Sequence, residues 1–366
     1  MIKKFDEVFV DKTRLGKKIP KEEYKKKGKY IIIDQGKDKI AGFTDNEDGI
    51  FTDVPTIIFG DHTRIIKYID KPFFLGADGV KVLKSKINNA NYKYLYYALK
   101  AAYIPNTGYN RHFKWLKKVS INYPSFEKQK RIVKLLDNLS EVKNKKNEEL
   151  KLCDTLIKAR FVEMFGDPGL VHRENKVCNL ENVAEVRSSH RIFTREFTKS
   201  GVPFYRGTEI SLLANGKEPI HSYYISKARY DEITKNDSKP KIGDLLMPSI
   251  CDKGQIWLVN TSKPFYYKDG RVLCISPNRE KFNTIFFHQY MKMKSQIEYL
   301  KIGSGSTFAE FKIFQLKKLK INIPPLKLQN EFASFVQQVD KSKVAIQKSL
   351  DETQTLFDSL MQKYFS

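Results

Sequence analysis

The 366-residue sequence contains little cysteine and no long apolar run. Its four cysteines (Cys153, Cys178, Cys251 and Cys274) are far apart and form no C-x-x-C pair. This spacing argues against a disulfide framework or a zinc site and favours free thiols in a reducing compartment. No stretch approaches the ~20 apolar residues of a membrane span, and the first residues do not have the pattern of a signal peptide. We therefore expect a cytoplasmic protein with no membrane partner.

Motifs of common catalytic sites are also missing. The sequence has no G-x-x-x-x-G-K-[ST] phosphate loop, and its six histidines form no H-x-x-x-H pair. The strings "NYPSF" (122–126) and "NIPPL" (322–326) are similar to the Asn/Asp-Pro-Pro-aromatic loop of adenine methyltransferases. However, the first has Ser in place of the second proline, the second ends in Leu, and no Gly-rich turn for AdoMet precedes either string. We therefore expect no catalytic site, no metal and no cofactor in this chain.

Positive charge is abundant. Lys and Arg total 66 against 42 Asp and Glu, which gives a formal net charge of +24. The usual partners of such an excess are nucleic acids or anionic membranes. Hydrophobic residues make up 41% of the chain, so it can bury cores, and the length suits about two or three domains at roughly 100–200 residues each.

The chain repeats itself. "LKKVSINYPS" (116–125) aligns without a gap with "LKKLKINIPP" (316–325), and six of the ten pairs are identical. Three further pairs of blocks keep the same order: 29–37 with 202–210, 70–84 with 262–276, and 91–100 with 283–292. Matching blocks in a conserved order indicate two copies of one unit of about 160–200 residues.

Each copy has two parts. The first mixes short β-branched and aromatic runs with Gly, Asn and Asp turns, which predicts strands. One helix is expected in each copy, near 92–102 in the first and near 282–294 in the second. A proline then ends the last strand. The second part is a heptad pattern of about 38 residues, or ~55–60 Å of helix.

The heptad positions of the two copies lie 200 residues apart. The positions are Ile132, Leu136, Leu139, Lys143, Lys146, Leu150, Cys153, Ile157, Arg160 and Met164, and then Phe332, Val336, Val339, Lys343, Ile346, Leu350, Thr353, Phe357, Leu360 and Tyr364. Steps that alternate between four and three residues are typical of coiled coils. We expect the two helices to pair antiparallel; the alternative is that each packs only on its own domain.

Several strings resemble those of the specificity subunits of type I restriction–modification systems. They are "FVEMFGDP" (161–168), "GSGST" (303–307), "INIPPLKLQNEF" (321–332) and "LFDSLMQKYF" (356–365). The resemblance covers essentially the whole chain. It implies an α+β fold with two strand-rich, mixed α/β target-recognition domains separated by two long helices that form an antiparallel coiled coil, in a pseudo-twofold tandem repeat. The implied limits are 1–125 and 167–325 for the domains, and 126–166 and 326–366 for the helical spacers.

The resemblance also implies a function. Such a subunit is a non-catalytic DNA reader in which each domain recognises one half of a bipartite, asymmetric target. Its helices act as a spacer ruler and dock two methyltransferase subunits, restriction subunits join the larger complex, and AdoMet, ATP and Mg belong to those partners. The alternative is a stand-alone DNA-binding or regulatory scaffold without a methyltransferase partner. The chain departs from the family pattern in one place, because the first copy reads "NTGYNRHFK" (106–114) where the second has "GSGST".

Candidate DNA-contacting residues are polar, lie near predicted strand ends or in loops, and preferably occur in both copies. Arg and Lys are the usual readers of guanine and phosphate, and Asn and Gln of adenine. In the first copy the candidates are Gln35, His62, Thr63, Arg64, Tyr109, Asn110, Arg111, His112 and Lys114. In the second copy they are Arg187, Ser189, Arg206, Ser249, Lys253, Ser304, Ser306 and Thr307.

Overall fold

The structure is a computed structural model that describes residues 1–76, 78–172, 176–219, 223–236, 239–302 and 309–365. The chain forms two compact units. The first consists of Met1–Glu149 with Ile346–Ser366, and the second of Leu150–Ala345. Each unit therefore contains the globular part of one repeat copy and the first part of that copy's long helix. It also contains the last part of the other copy's long helix, which in the second unit is the last part of the first copy's helix.

The first copy begins with short strands and ends in one long helix. Its elements are β1 (Ile2–Lys4), α1 (Phe5–Val8), β2 (Phe9–Asp11), β3 (Tyr30–Ile33), β4 (Gly42–Thr44), β5 (Thr56–Gly60), β6 (Ile66–Ile69), β7 (Phe73–Leu75), β8 (Val80–Ser85), α2 (Tyr92–Ala101), α3 (Phe113–Leu116), β9 (Ser120–Asn122) and α4 (Phe126–Phe165). The strands are rich in β-branched and aromatic residues, which fit a pleated and buried surface. The side chain of Asn91 caps α2 by accepting a hydrogen bond from the Tyr94 backbone N–H.

The second copy has the same organisation with additional short elements. They are β10 (Lys176–Asn179), β11 (Ala184–Arg187), β12 (Phe197–Thr198), β13 (Val202–Tyr205), α5 (Gly207–Ala214), β14 (Tyr224–Ile225), α6 (Lys227–Ile233), β15 (Leu245–Pro248), β16 (Trp257–Leu258), β17 (Tyr266–Tyr267), β18 (Val272–Pro277), α7 (Thr284–Ile302), α8 (Ile313–Lys317), β19 (Lys320–Ile323) and α9 (Leu326–Phe365).

The sheets of the two copies have equivalent topologies. The first copy has a sheet in the order β2–β8–β5–β6, and the second has β11–β18–β15–β16. The other sheets run β4–β3–β7 and β12–β14–β13–β17, and in each of them one neighbouring pair is parallel, β3 with β7 and β13 with β17. Each domain also has a two-stranded sheet, β1 with β9 in the first and β10 with β19 in the second. In each pair the second strand directly precedes the long helix, and we call this end of the domain its base. The predicted tandem repeat and the α+β fold class are confirmed.

The core of the first unit is built by residues from both long helices. Ile132 and Leu136 of α4, and Phe357 and Met361 of α9, pack in one cluster with α2 and the sheet. The Phe357 ring lies 6.2 Å from that of Tyr97 in an edge-to-face arrangement. Both helices are therefore anchored in the core of the recognition domain as well as against each other.

The core of the second unit has the corresponding composition. Phe161 of α4 and Phe332 of α9 lie with their ring centroids 5.5 Å apart, edge to face. Phe161 also stacks on Phe286 and Tyr290 of α7, at 5.7 Å in both cases. Helix α4 ends beyond this cluster, where Gly166 has a positive φ of 75° and donates its N–H to the Val162 carbonyl.

The predicted heptad positions form the contact between α4 and α9. All ten positions in each helix are buried or half-buried. In the first unit, Lys143 Nζ lies 4.9 Å from the centroid of the Phe357 ring. In the second unit, Lys343 Nζ is 2.8 Å from Asp154 Oδ1. In each unit an early part of one helix contacts a late part of the other, so the pair is antiparallel.

The proline junction between strand and helix contains a buried glutamine in both copies. Gln129 donates its side-chain N–H to the Pro124 carbonyl at 2.9 Å, and Gln329 donates to the Pro324 carbonyl at 2.8 Å. Each glutamine thereby pairs a carbonyl just before the helix that the backbone N–H groups of the helix do not pair. The repeated "P-x-x-x-x-Q" pattern is therefore a structural joint. No helix within the described ranges is long and apolar enough to span a membrane.

Candidate nucleic-acid interface

Most candidate loops of the first copy leave the same end of the sheets. Residue 34 follows β3, residue 61 follows β5, and residue 79 precedes β8. Since Gly60 pairs with Val80 and Ile33 pairs with Leu75, these loops meet at one edge. The corresponding loops of the second copy, after β13 and β15 and before β18, meet in the same way.

Three backbone hydrogen bonds fix this edge identically in both copies. Gly76 N–H donates to the Ile33 carbonyl, as Lys268 N–H does to Tyr205; each distance is 2.8 Å. Asp61 N–H donates to the Gly79 carbonyl at 2.7 Å, as Ser249 N–H does to Arg271 at 2.9 Å. His112 N–H donates to the Asp61 carbonyl, as Phe311 N–H does to Ser249, both at 2.8 Å. We call this end of the sheets the loop edge.

Asp61 and His112 join two candidate loops of the first copy. The Asp61 carboxylate is buried and accepts a hydrogen bond from the Phe113 backbone N–H at 2.7 Å. The His112 ring is also buried, with Nδ1 3.0 Å from the Asp61 carbonyl oxygen. Because that oxygen can only accept, Nδ1 carries the proton and Nε2 is left to accept from Thr107, whose hydroxyl lies at 3.3 Å. Burial argues against direct DNA contact by His112 and gives it a positioning role.

Gln35 joins a third loop to these two. Its side-chain oxygen accepts from the His62 backbone N–H, and its side-chain nitrogen donates to the Asp78 carbonyl, both at 3.1 Å. Its own carbonyl accepts from the Thr63 hydroxyl at 2.6 Å. The amide that would read adenine is therefore already engaged within the protein.

Tyr109 is the most exposed aromatic side chain of these loops, at 89%. It follows Gly108, whose φ of 77° favours glycine, and its ring stacks on that of His62 at 4.9 Å with 13° between the planes. The Nδ1 atom of His62 is covered and has no hydrogen-bond partner among the residues that the structure describes.

Polar and basic side chains flank the two stacked residues in the sequence. Asn110, Arg111 and Lys114 are exposed, and Arg64 is half-buried with a guanidinium nitrogen 3.1 Å from the Ile104 carbonyl. The ammonium of Lys18, hydrogen-bonded to Asp78, lowers the pKa of that carboxyl, and the positive charge of Arg111 acts in the same direction. The loop edge of the first copy is thus positively charged and partly aromatic.

In the second copy, Arg206, Ser249 and Lys253 lie at the loop edge. Arg206 forms a two-point ion pair with Glu209, at 3.1 and 3.2 Å, and its guanidinium lies 4.5 Å from the centroid of the Tyr223 ring. The hydrogen bond to Glu209 raises the pKa of this already basic group. Ser249 is buried, whereas Lys253 is exposed.

The remaining candidates have different placements. Arg187 extends toward the opposite end of β15, where it lies 3.3 Å from the buried Asp244 carboxylate and 2.6 Å from the Ser276 hydroxyl. Ser189 donates to the Tyr267 carbonyl at 2.7 Å. The candidates Ser304, Ser306 and Thr307 lie outside the described residues. The bonds of Arg187 to Asp244 and Ser276 argue against its reading a base.

Arg187 lines a basic cleft of about 1100 Å³ at that opposite end. Lys239, Lys263 and Arg279 lie in the same cleft, and Asp244 belongs to its floor. This cleft offers charge-matched control positions on the same domain, away from the loop edge.

Several residues that hold these loops in place are not among the candidates predicted from the sequence. Asp61, Asp78 and Gly79 are central to the first loop edge, and a Cβ at Gly79 would come within 2.7 Å of the Gln35 amide. Asp-Gly pairs occur at 78–79 and at 269–270, inside aligned blocks of the repeat. That turn signal could have pointed to this position. Within the described ranges, no cluster of three or more His, Cys, Asp or Glu side chains could hold a metal ion.

The sequence is similar to known specificity subunits. The family described as "Type I restriction modification DNA specificity domain" matches residues 1–152 and 172–353. A putative type I restriction enzyme specificity subunit of Haemophilus influenzae is 28% identical over 278 residues, which cover 73% of this chain and 68% of that protein. The putative MjaX specificity subunit of Methanocaldococcus jannaschii is 24% identical over 307 residues, covering 76% and 68%.

Solved structures share the fold. The S subunit of a type I restriction–modification system from M. genitalium superposes with a TM-score of 0.57 at 18% identity, covering 100% of this chain and 96% of that one. A chain from a study of assembly and conformational transition of the type I R-M system gives 0.56 at 17% identity, covering 100% and 97%. The chain belongs to the type I restriction–modification DNA specificity family and is a non-catalytic subunit for DNA sequence recognition.

Proposed function

We propose that the two recognition domains each read one half of a bipartite, asymmetric DNA target. The observation that carries this proposal is the duplicated loop edge, with the same three backbone hydrogen bonds in each copy. The side chains placed on the two frames differ, since Gln35, His62 and Tyr109 in the first copy have no identical counterparts in the second. Two domains with the same backbone arrangement and different side chains are suited to recognising two different half-sequences.

In this proposal, α4 and α9 set the spacing between the half-targets and dock two methyltransferase subunits. Large apolar side chains remain exposed on the outer faces of both helices, among them Val142, Leu152 and Leu156 of α4 and Val344 and Leu356 of α9. Exposed apolar side chains along one helix pair favour a protein-binding role. AdoMet, ATP and Mg then belong to the methyltransferase and restriction subunits.

An exchange of recognition domains tests this function. The Phe5 N–H donates to the Val119 carbonyl at 3.1 Å, and Leu180 N–H donates to Leu319 at 2.8 Å, so these bonds mark equivalent bases of the two domains. Residues 9–118 are replaced by the matching segment of another family member, and the base is left intact. The exchanged chain is co-expressed with its methyltransferase partner, and methylated sites are mapped by sequencing.

We expect only one half of the methylated target to change. The matched control replaces residues 184–318, between the same two base bonds of the second copy, and should change the other half only. A change of both halves by either exchange would contradict the division of labour. A chain that binds specific DNA but never co-purifies with a methyltransferase would instead favour the stand-alone scaffold.

A further inference from the structure

We infer that Tyr109 and His62 contact the bases of the first half-target, and that Gln35 and His112 are positioning residues that hold this pair. The inference rests on the proposed function of the first domain. It assigns different roles to residues that the sequence pattern treats alike.

Exposure singles out Tyr109. Its side chain is almost fully exposed, and its ring lies beside that of His62 with the centroids 4.9 Å apart. A tyrosine offers an apolar face for a thymine methyl or a base, together with a hydroxyl that can donate or accept. Arg111 and Lys114 are exposed close by in the sequence, so phosphates can be neutralised while the ring approaches the bases.

His62 contributes an unused polar atom at the same place. Its backbone N–H is bonded to Gln35, but the ring Nδ1 is covered and has no hydrogen-bond partner within the described part of the chain. Leaving a covered polar atom unpaired is unfavourable. Because Tyr109 stacks on this ring, a base that contacts Tyr109 would also lie next to His62.

Gln35 and His112 hold the pair through bonds that leave little capacity for DNA. Gln35 binds the loop that carries His62 and the turn at Asp78. His112 binds Asp61 through both its backbone N–H and its ring Nδ1, which ties the Tyr109 loop to the His62 loop. Residues whose rotamers are fixed by such bonds keep a reading element in one geometry.

In the described part of the second copy, different side chains stand at this loop edge. Phe311 occupies the place of His112 in the backbone bond, and Ser249 the place of Asp61. The consequences of changing Tyr109, His62, Gln35 or His112 should therefore be confined to the first half of the target.

The test is selection of bound sequences from a randomised duplex DNA pool by the full chain. The variants are Tyr109→Ala and, as a matched control, Tyr103→Ala, which removes an equally exposed tyrosine (85%) outside the stacked pair. We expect Tyr109→Ala to lower base discrimination about tenfold or more at one or two positions of one half-target. The control should select the wild-type motif.

The outcomes separate the inference from the proposed function. If the wild-type chain selects a two-part motif and Tyr109→Ala selects the same motif with the same discrimination, the assignment of Tyr109 is wrong while the proposed function stands. If the wild-type chain selects no motif, both fail.

The positioning role has its own readout. His112→Ala should reduce discrimination in the first half-target, whereas His112→Asn, which retains a donor near the Nδ1 position, should restore most of it. A purely structural role would lower thermal stability in His112→Ala and leave the ratio of matched to mismatched affinities unchanged in the folded protein. That result would overturn the positioning assignment.

Discussion

The two junction glutamines allow a comparison of one motif in two environments. Both side chains are buried, at 1% exposure for Gln129 and 0% for Gln329. Gln129 makes one side-chain hydrogen bond, to Pro124, and its oxygen has no partner among the described residues. Gln329 makes three: it donates to the carbonyls of Pro324 and Lys281 and accepts from the Asn283 N–H, at 2.8 to 3.0 Å.

Replacing each glutamine by leucine should therefore have unequal effects. Gln329→Leu leaves three backbone groups without their partner, and each such group costs ~1–3 kcal/mol when buried. After allowing for partial hydration and for the apolar gain of leucine, we expect a loss of about 3–5 kcal/mol. Gln129→Leu leaves only the Pro124 carbonyl without its partner, and it also removes a buried, unpaired side-chain oxygen. We therefore expect the free energy of unfolding to fall by at most ~1 kcal/mol.

Urea unfolding followed by far-UV circular dichroism measures both changes. The transition of the second unit should shift to lower urea in Gln329→Leu at an unchanged slope, and that of the first unit should barely move in Gln129→Leu. Hydrogen exchange gives a local readout, because the Asn283 amide should lose protection in Gln329→Leu. Equal shifts in the two variants, or a larger shift in Gln129→Leu, would refute the reasoning from hydrogen-bond number.

Two further predictions concern charge. Burial, assisted by the charge of Lys292, lowers the pKa of His288 from 6.5 to about 4. As the pH falls, His288 therefore binds a proton in the unfolded chain before it does so in the folded chain. The free energy of unfolding should accordingly decrease by up to about 3 kcal/mol between pH 6.5 and pH 4. The His288→Gln variant should lack this part of the pH dependence, and parallel stability curves of wild type and variant would contradict the prediction. Removing Arg111 and Lys114, the exposed cations at the loop edge of the first copy, should flatten the slope of log affinity against log salt by ~0.9 for each phosphate that the protein no longer neutralises. Removing Lys239 and Lys263 from the opposite cleft should leave the slope unchanged, and equal effects of the two double variants would argue against the loop edge as the DNA-binding face.

Periodic features of the fold were predictable from the sequence. The heptad positions, including the lysines at 143 and 343, are buried or half-buried as predicted. A repeat of four and three residues reports which face of a helix is covered, and that information is local. The longer strands, such as β5 and β8, were also recognisable by their composition, whereas two-residue strands such as β12 and β17 carry too little pattern to be seen.

The roles of individual polar residues were not predictable, because they depend on which backbone groups lie opposite each side chain. Gln35 and Tyr109 were equally suitable as candidates by residue type. In the fold, both ends of the Gln35 amide are bonded to backbone groups brought in from two other loops, while Tyr109 remains exposed. The sequence can nominate residues that are able to contact DNA, but only tertiary hydrogen bonds show which of them are already engaged.

Because the chain contains two copies of one unit, the role of some polar residues can still be inferred by comparing the copies. Where one backbone bond recurs in both copies, as between Asp61 and Gly79 and between Ser249 and Arg271, it belongs to the common frame. Where a side-chain interaction occurs in one copy alone, as with His112 and Asp61, it is a property of that reader. Comparing the copies within one chain thus separates residues that maintain the scaffold from residues that can change with the target. On this criterion Tyr109 and His62 are the positions at which substitutions should alter the first half-target without disturbing the fold.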